Sequence, residues 1–179
     1  MSHQVSIRPA QAADIEPLAA LAARTFEDAF ASENSPEDIQ SYIRESFCAE
    51  RLRDEVASAD NLFLLALLDE APVGYAKLRT GTPDASVDGE DPVELERLYV
   101  EQSAIGHGIG AALMQACLEA ARRGGHRTLW LGVWERNARA IAFYRRWGFE
   151  MVGDHVFRLG SDEQTDLIMQ RAVSEGEAR

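Results

Sequence analysis

The sequence contains no run of 18 apolar residues, and its opening, Met1-Ser2-His3-Gln4, lacks a basic segment followed by an apolar one. A membrane-spanning helix needs about 20 apolar residues, so neither a span nor a secretion signal is expected. Cysteine is nearly absent. Cys48 and Cys117 stand far apart and match neither a disulfide framework nor a metal pair, which makes a reducing cytoplasm the expected setting. His3, His126 and His155 show no metal-ligand spacing, and no bound metal is expected. Basic residues are scarce: 30 acids against 18 Lys and Arg leave a formal charge of −12, which repels nucleic-acid phosphates and anionic lipid surfaces. The same field favours a cationic small molecule, and it also serves ordinary solubility.

What is present reads as one core. The chain of 179 residues suits one domain, taken as 1–173 with a polar tail over 174–179, and no repeat or linker divides it. Val5 to Arg8 reads as a strand. Ile15, Leu18, Ala19, Ala22 and Phe26 then fall at helical spacing, with Asp14 placed to cap. Ser35-Pro36-Glu37-Asp38 opens one or two helices reaching about Ser58, and Leu62 to Leu68 with Val73 to Leu78 reads as a hairpin turning over Asp69 to Pro72. Strands are predicted at Val93 to Val100, Thr128 to Val133, Met151 to Phe157 and Thr165 to Met169. Helices are predicted from Ile109 to Gly124 and from Asn137 to Trp147, the second capped by Asn137 and ended by Gly148. The order implies an α/β fold with a mixed sheet.

Between the strand ending at Val100 and the following helix lies Ile105-Gly106-His107-Gly108-Ile109-Gly110. Glycines let backbone N–H groups approach a phosphate, and a helix N-terminus carries about half a positive charge, so an anion site is implied. Gly106-x-Gly108-x-x-Ala111 with Glu135 also imitates a dinucleotide fingerprint, but too little chain follows Glu135 for the further βα units such a fold needs. A P-loop is excluded by the lack of Gly-Lys followed by Ser or Thr.

Leu98-Tyr99-Val100, the Gly106 to Gly110 loop, and Asn137-x-x-Ala140-x-x-Phe143-Tyr144-x-x-x-Gly148-Phe149 together resemble the Gcn5-related N-acetyltransferase (GNAT) superfamily. Leu131-Gly132-Val133-Trp134-Glu135, His155-Val156-Phe157 and Gln164-Thr165-Asp166-Leu167 further resemble PaiA-type bacterial polyamine acetyltransferases. The resemblance implies a single-domain α/β GNAT fold of about seven strands with helices on both faces. It implies acetyl-coenzyme A as co-substrate, bound between two diverging strands and attacked directly by a primary amine. Leu98, Tyr99 and Val100 would pair with the pantetheine arm through backbone groups, Asn137 would contact the same arm, and Gly106, His107, Gly108, Ile109 and Gly110 would cradle the diphosphate. Where the superfamily usually has Gln or Arg, this chain has Ile105, so that side chain's contribution is missing.

Tyr144 matches the superfamily's acid, and a phenol of reference pKa near 10 suits protonation of a departing thiolate. An amine of pKa near 10 costs on the order of 4 kcal/mol to deprotonate at pH 7, which makes a base useful. Simple alternation puts Glu94, Glu96, Leu98 and Val100 on one strand face, and Glu94 matches a position where some members carry a base, with Glu96 as its rival. For the acceptor, Phe26, Phe30 and Tyr42 accompany Glu27, Asp28 and Glu33, and six acids without a base lie between Gly81 and Glu96. A polyamine such as spermidine is the expected acceptor, and a homodimer remains open. Acetylation of a protein N-terminus or lysine is the alternative reaction, and a non-catalytic acyl-coenzyme A sensor is the alternative of another class.

Overall fold

A computed structural model describes residues 4–173; the expected tail at 174–179, and His3, lie outside the described residues. The elements run β1 (Val5–Pro9), α1 (Ile15–Phe30), α2 (Pro36–Ser46), α3 (Ala49–Ala57), β2 (Asn61–Leu68), β3 (Ala71–Arg79), β4 (Pro92–Val100), α4 (Ile109–Arg123), β5 (Thr128–Trp134), α5 (Ala138–Arg146), β6 (Glu150–Leu159) and β7 (Asp162–Ala172). Among the described residues the strands form one sheet in the order β1-β2-β3-β4-β5-β7-β6. Every neighbouring pair is antiparallel except β4 and β5, which are parallel. Two apolar layers sandwich it: Ile109, Leu113, Cys117, Ile141 and Phe149 under α4 and α5, and Leu18, Phe26, Ile39, Leu52 and Tyr75 under α1 to α3.

Local chemistry accounts for most boundaries. The Ser35 side chain accepts from the Asp38 N–H at the head of α2, with Pro36 in the first turn. Asp69 and Glu70, both at positive φ, make the two-residue turn between β2 and β3 that suits the right-handed twist of a hairpin. Asn137 caps α5 by accepting from the Ala140 N–H at 3.1 Å, and Gly148, at φ +82°, ends it. Asp14 departs from expectation. A short 3₁₀ turn over Ala12–Asp14 precedes α1, and the Asp14 carboxylate turns back to the Gln11 N–H at 2.7 Å and the Arg8 guanidinium at 2.7 and 2.9 Å.

The alternation expected for β4 fails at one residue. Lys77 pairs with Arg97 but the next β3 residue, Leu78, pairs with Leu95, so Glu96 is an extra residue, a β-bulge. Past the bulge the pleat inverts. Val93, Leu95, Leu98 and Val100 all pack on the α4–α5 side, whereas Glu94, Glu96, Arg97 and Tyr99 lie on the α1–α3 side. Glu94 and Glu96 thus share a face with each other and not with Leu98 and Val100.

Candidate active site

β4 and β5 pair over three residues only, Pro92 with Thr128, Val93 with Leu129 and Glu94 with Trp130, and then part. On its other side β4 stays bonded to β3, and the Glu101 N–H donates to the Val73 carbonyl at 2.8 Å. Backbone groups alternate in direction along a strand, so those of Leu98 and Val100 point away from β3, into the opening. That edge leads to the start of α4. Gly108, at φ +77°, is its cap residue and no side chain caps it, which leaves the first-turn N–H groups facing outward at the positive end of a 15-residue helix. Gly106 is also left-handed, at φ +92°. His107 and Ile105 are exposed, while Ile109 is buried and holds the helix against the sheet. Gly110 faces Phe143, at 3.6 Å from where a Cβ would stand, so α4 and α5 approach closely beside the opening.

Tyr144 sits on the α5 side of this opening, 9% exposed, edge-on to Phe143 and Phe149. Burial pushes its hydroxyl well above the ordinary phenol range, so it is protonated at neutral pH. Tyr99 lies on the opposite face of the sheet, also raised by burial and then by the nearby phenols, Tyr144 among them. Cys117, buried under α4 with its thiol pushed up to about 12 by desolvation, is a packing residue.

The α1–α3 side carries a charged network. Lys77, 2% exposed, sets its ammonium 3.0 Å from Glu55 and against Glu96. Glu55 also receives Arg97 at 3.0 Å and Arg51 at 3.2 Å; burial raises its carboxyl, and these cations more than offset that, leaving it below its usual range. Arg79 donates to Glu94 through Nε at 3.0 Å and through a second nitrogen at 2.5 Å, and meets Glu96 at 3.0 Å. Burial nonetheless pushes the Glu94 carboxyl up, against the pull of Arg79. Arg79, Thr80, Gly81, Thr82, Glu94 and Trp130 line a cavity of about 300 Å³ at the point where β4 and β5 part. Sequence reasoning missed Glu55, Lys77, Arg79 and Arg97. The available signal was Lys77 inside the apolar run Val73 to Leu78, a cation that a half-buried strand admits only with carboxylates beside it.

The segment between β3 and β4 folds over this same side. Asp84 reaches His155 at 3.4 Å, Gln170 donates to Asp88, and Glu90 pairs with Arg127. Its acids are therefore largely engaged within the chain. Of the aromatic and acidic residues expected to wall the acceptor pocket, Phe26 stacks on Tyr42 at 4.5 Å and lies tilted against Phe30 at 4.6 Å, Glu27 and Asp28 face solvent, and Glu33 pairs with Arg136 at 3.0 Å.

The chain matches, over residues 18–149, the model of a family described as acetyltransferase (GNAT) family. It is 35% identical over 162 residues to an uncharacterised N-acetyltransferase of Lactobacillus delbrueckii subsp. lactis, covering 89% of this chain and 92% of that one. To the spermidine N(1)-acetyltransferase of Thermoplasma acidophilum it is 28% identical over 171 residues, covering 93% and 96%. The crystal structure of a PaiA N-acetyltransferase from the same organism, in complex with coenzyme A, superposes with a TM-score of 0.76 at 26% identity, covering 94% and 99%.

Proposed function

The chain belongs to the acetyltransferase (GNAT) family, and on that footing we propose that it carries the acetyl group of acetyl-coenzyme A to a primary amine of a polyamine such as spermidine. Acetyl-coenzyme A is its co-substrate. One observation carries the reading: the unpaired edge of β4 at Leu98 and Val100 runs directly to the uncapped, glycine-flanked start of α4. A pantetheine arm, with its two amides, can pair with that edge as a strand would. Its diphosphate can take the N–H groups of Gly108 to Gly110 without help from the side chain at Ile105.

In this reading the acceptor enters through the cavity beside Trp130 as an ammonium drawn by the Glu94 carboxylate, gives up one proton to a base of the site, and as the free amine attacks the thioester carbonyl in the opening. The C–N bond forms, the C–S bond breaks, and Tyr144 gives its proton to the leaving thiolate. The surplus proton on the nitrogen of the newly formed amide then restores the phenol. Asn137 keeps Nδ2 for the arm, since only its oxygen is used in capping α5. Glu96, held by both Lys77 and Arg79, shapes the bulge and keeps the neighbouring cations in place.

Support for a polyamine comes from the −12 charge, the carboxylate-bearing cavity and the named activity of the Thermoplasma relative. A coenzyme A release assay across spermidine, spermine, amino acids, aminoglycosides and N-terminal peptides tests it. Spermidine should show the higher specificity constant, and its apparent affinity should fall as salt rises, because ions screen exposed charges beyond about 10 Å at 0.1 M. Peptides outcompeting polyamines at every ionic strength would remove the polyamine and leave the acetyltransferase.

A further inference from the structure

Among the described residues one titratable cluster stands outside the machinery above. His155 on β6 lies directly opposite Asp166 on β7, with Nε2 3.9 Å from its carboxylate and Nδ1 3.4 Å from Asp84. Asp84 is itself fixed, accepting from the Ser86 hydroxyl at 2.6 Å and the Ser86 N–H at 2.9 Å. β7 separates β6 from β5, yet the imidazole reaches across it. A Cβ on Gly132 would stand 3.7 Å from His155 Cε1 and 3.4 Å from Asp166 Oδ2, ordinary contact distances, so both side chains lie over this residue of β5.

Gly132 is two residues past Trp130, the last β5 residue paired with β4, and so borders the opening. Strand spacing is about 4.8 Å, which puts the cluster roughly one strand width from a thioester lying there. The side is also right. Asp166 pairs with Trp134, whose ring lies 5.6 Å from Phe30 of α1, so the cluster shares the α1–α3 side with Glu94 and the cavity.

We propose that His155 is the base that takes the proton from the acceptor's ammonium, with Asp84 and Asp166 as the residues that position it. The inference rests on the acetyl-transfer reading given above. Asp84 accepts from Nδ1–H and so leaves the Nε2 lone pair for the substrate. The 3.9 Å between Nε2 and Asp166 is too wide for a direct hydrogen bond but suits an ammonium that donates to both. The proton passes from nitrogen to Nε2, the freed pair attacks the thioester, and the imidazolium is held between two carboxylates until it releases the proton to water. His155, with its side chain 39% exposed, has that exit. Glu94 is poorer in both respects: two nitrogens of Arg79 bond it, and its side chain is 14% exposed. The charged groups facing His155 are Asp84 from the β3–β4 segment and Asp166 from β7, and the β5 residue beneath it is Gly132.

The test uses the full chain with acetyl-coenzyme A and spermidine, or the best amine of the panel. His155→Asn keeps a donor toward Asp84 without a titratable nitrogen, and His155→Ala opens space for added imidazole. Both should lose roughly 10²-fold in kcat/KM with unchanged coenzyme affinity and melting temperature. His155→Asn should lose the acid limb of its pH profile and rise steadily with pH, and free imidazole should restore His155→Ala in proportion to its neutral form. A wild-type rate or an unmoved limb in His155→Asn, a limb that moves instead in Glu94→Gln, or failure of imidazole to restore His155→Ala would each overturn the assignment and leave the acetyltransferase intact. Absence of turnover by the wild-type chain with every amine would overturn the acetyl-transfer reading itself.

Discussion

Glu55 on α3 accepts from Lys77 on β3 at 3.0 Å, and through that pair a helix and a strand are joined by charge inside the α1–α3 layer. The two partners are not equivalent. Removing Glu55 takes from Arg97 its carboxylate partner and leaves Lys77 with Glu96 alone, whereas removing Lys77 leaves Glu55 with Arg97 and Arg51, and Glu96 with Arg79.

Glu55→Ala should therefore cost about 3 kcal/mol, in the range for breaking a buried pair by deleting one member, and Lys77→Met should change stability by less than about 1 kcal/mol. Urea denaturation of both variants checks this. Equal losses would mean that the network acts as a unit and not through Glu55.

Acetyl-coenzyme A should raise the melting temperature while NAD and ATP do not, because a ligand stabilises only the state that binds it. Gly108→Val should weaken that response. At φ +77° a β-branched residue is strained, although nothing in the fold crowds the position, so the cost falls on the loop's shape. An unchanged titration in a folded Gly108→Val protein would separate the loop from the coenzyme.

Tyr144→Phe should lower kcat by roughly 10²-fold with little effect on coenzyme affinity, as for loss of a general acid. Its ring contacts with Phe143 and Phe149 survive the change, so melting should hold steady. Normal turnover would make Tyr144 a packing residue.

Burial pushes the Asp166 carboxyl up to about 6, with a smaller opposing pull from His155. Its folded value exceeds the unfolded one of about 3.9, so the folded state holds the proton more tightly, and stability falls as pH rises from about 4 through 6. Asp166→Asn removes that loss. In a His155→Asn background, where no imidazole lies beside it, the variant's advantage should grow from about pH 4 through 6 toward about 1–2 kcal/mol, allowing for partial solvent exposure. An advantage that does not vary with pH would mean the carboxylate carries no such burden.

Element types were legible in the sequence wherever period and punctuation agreed. Asn137 and Gly148 marked the ends of α5, and Ser35-Pro36 the head of α2, because caps are local chemistry. The face carried by each β4 residue was not legible. It depends on the bulge at Glu96, which appears only when β4 is paired with β3, and a one-residue shift transfers every later side chain to the other surface. The Glu55 network and the meeting of Asp84, His155 and Asp166 were hidden for the same reason: their members come from helix, segment and strand far apart in the chain. The fold had a three-block spacing signature, and these clusters had none.

The three residue pairs that join β4 to β5 also make the sheet a mechanical object with a seam. Four strands lie on one side and three on the other, and the helices and the segment over residues 80–91 bridge them from outside. An arm laid along Leu98 to Val100 would act as a splint across that seam. Amide hydrogen exchange at Leu98 and Val100 should then report splinting directly, slowing when the arm is in place, while the hairpin of β2 and β3 keeps its own pace.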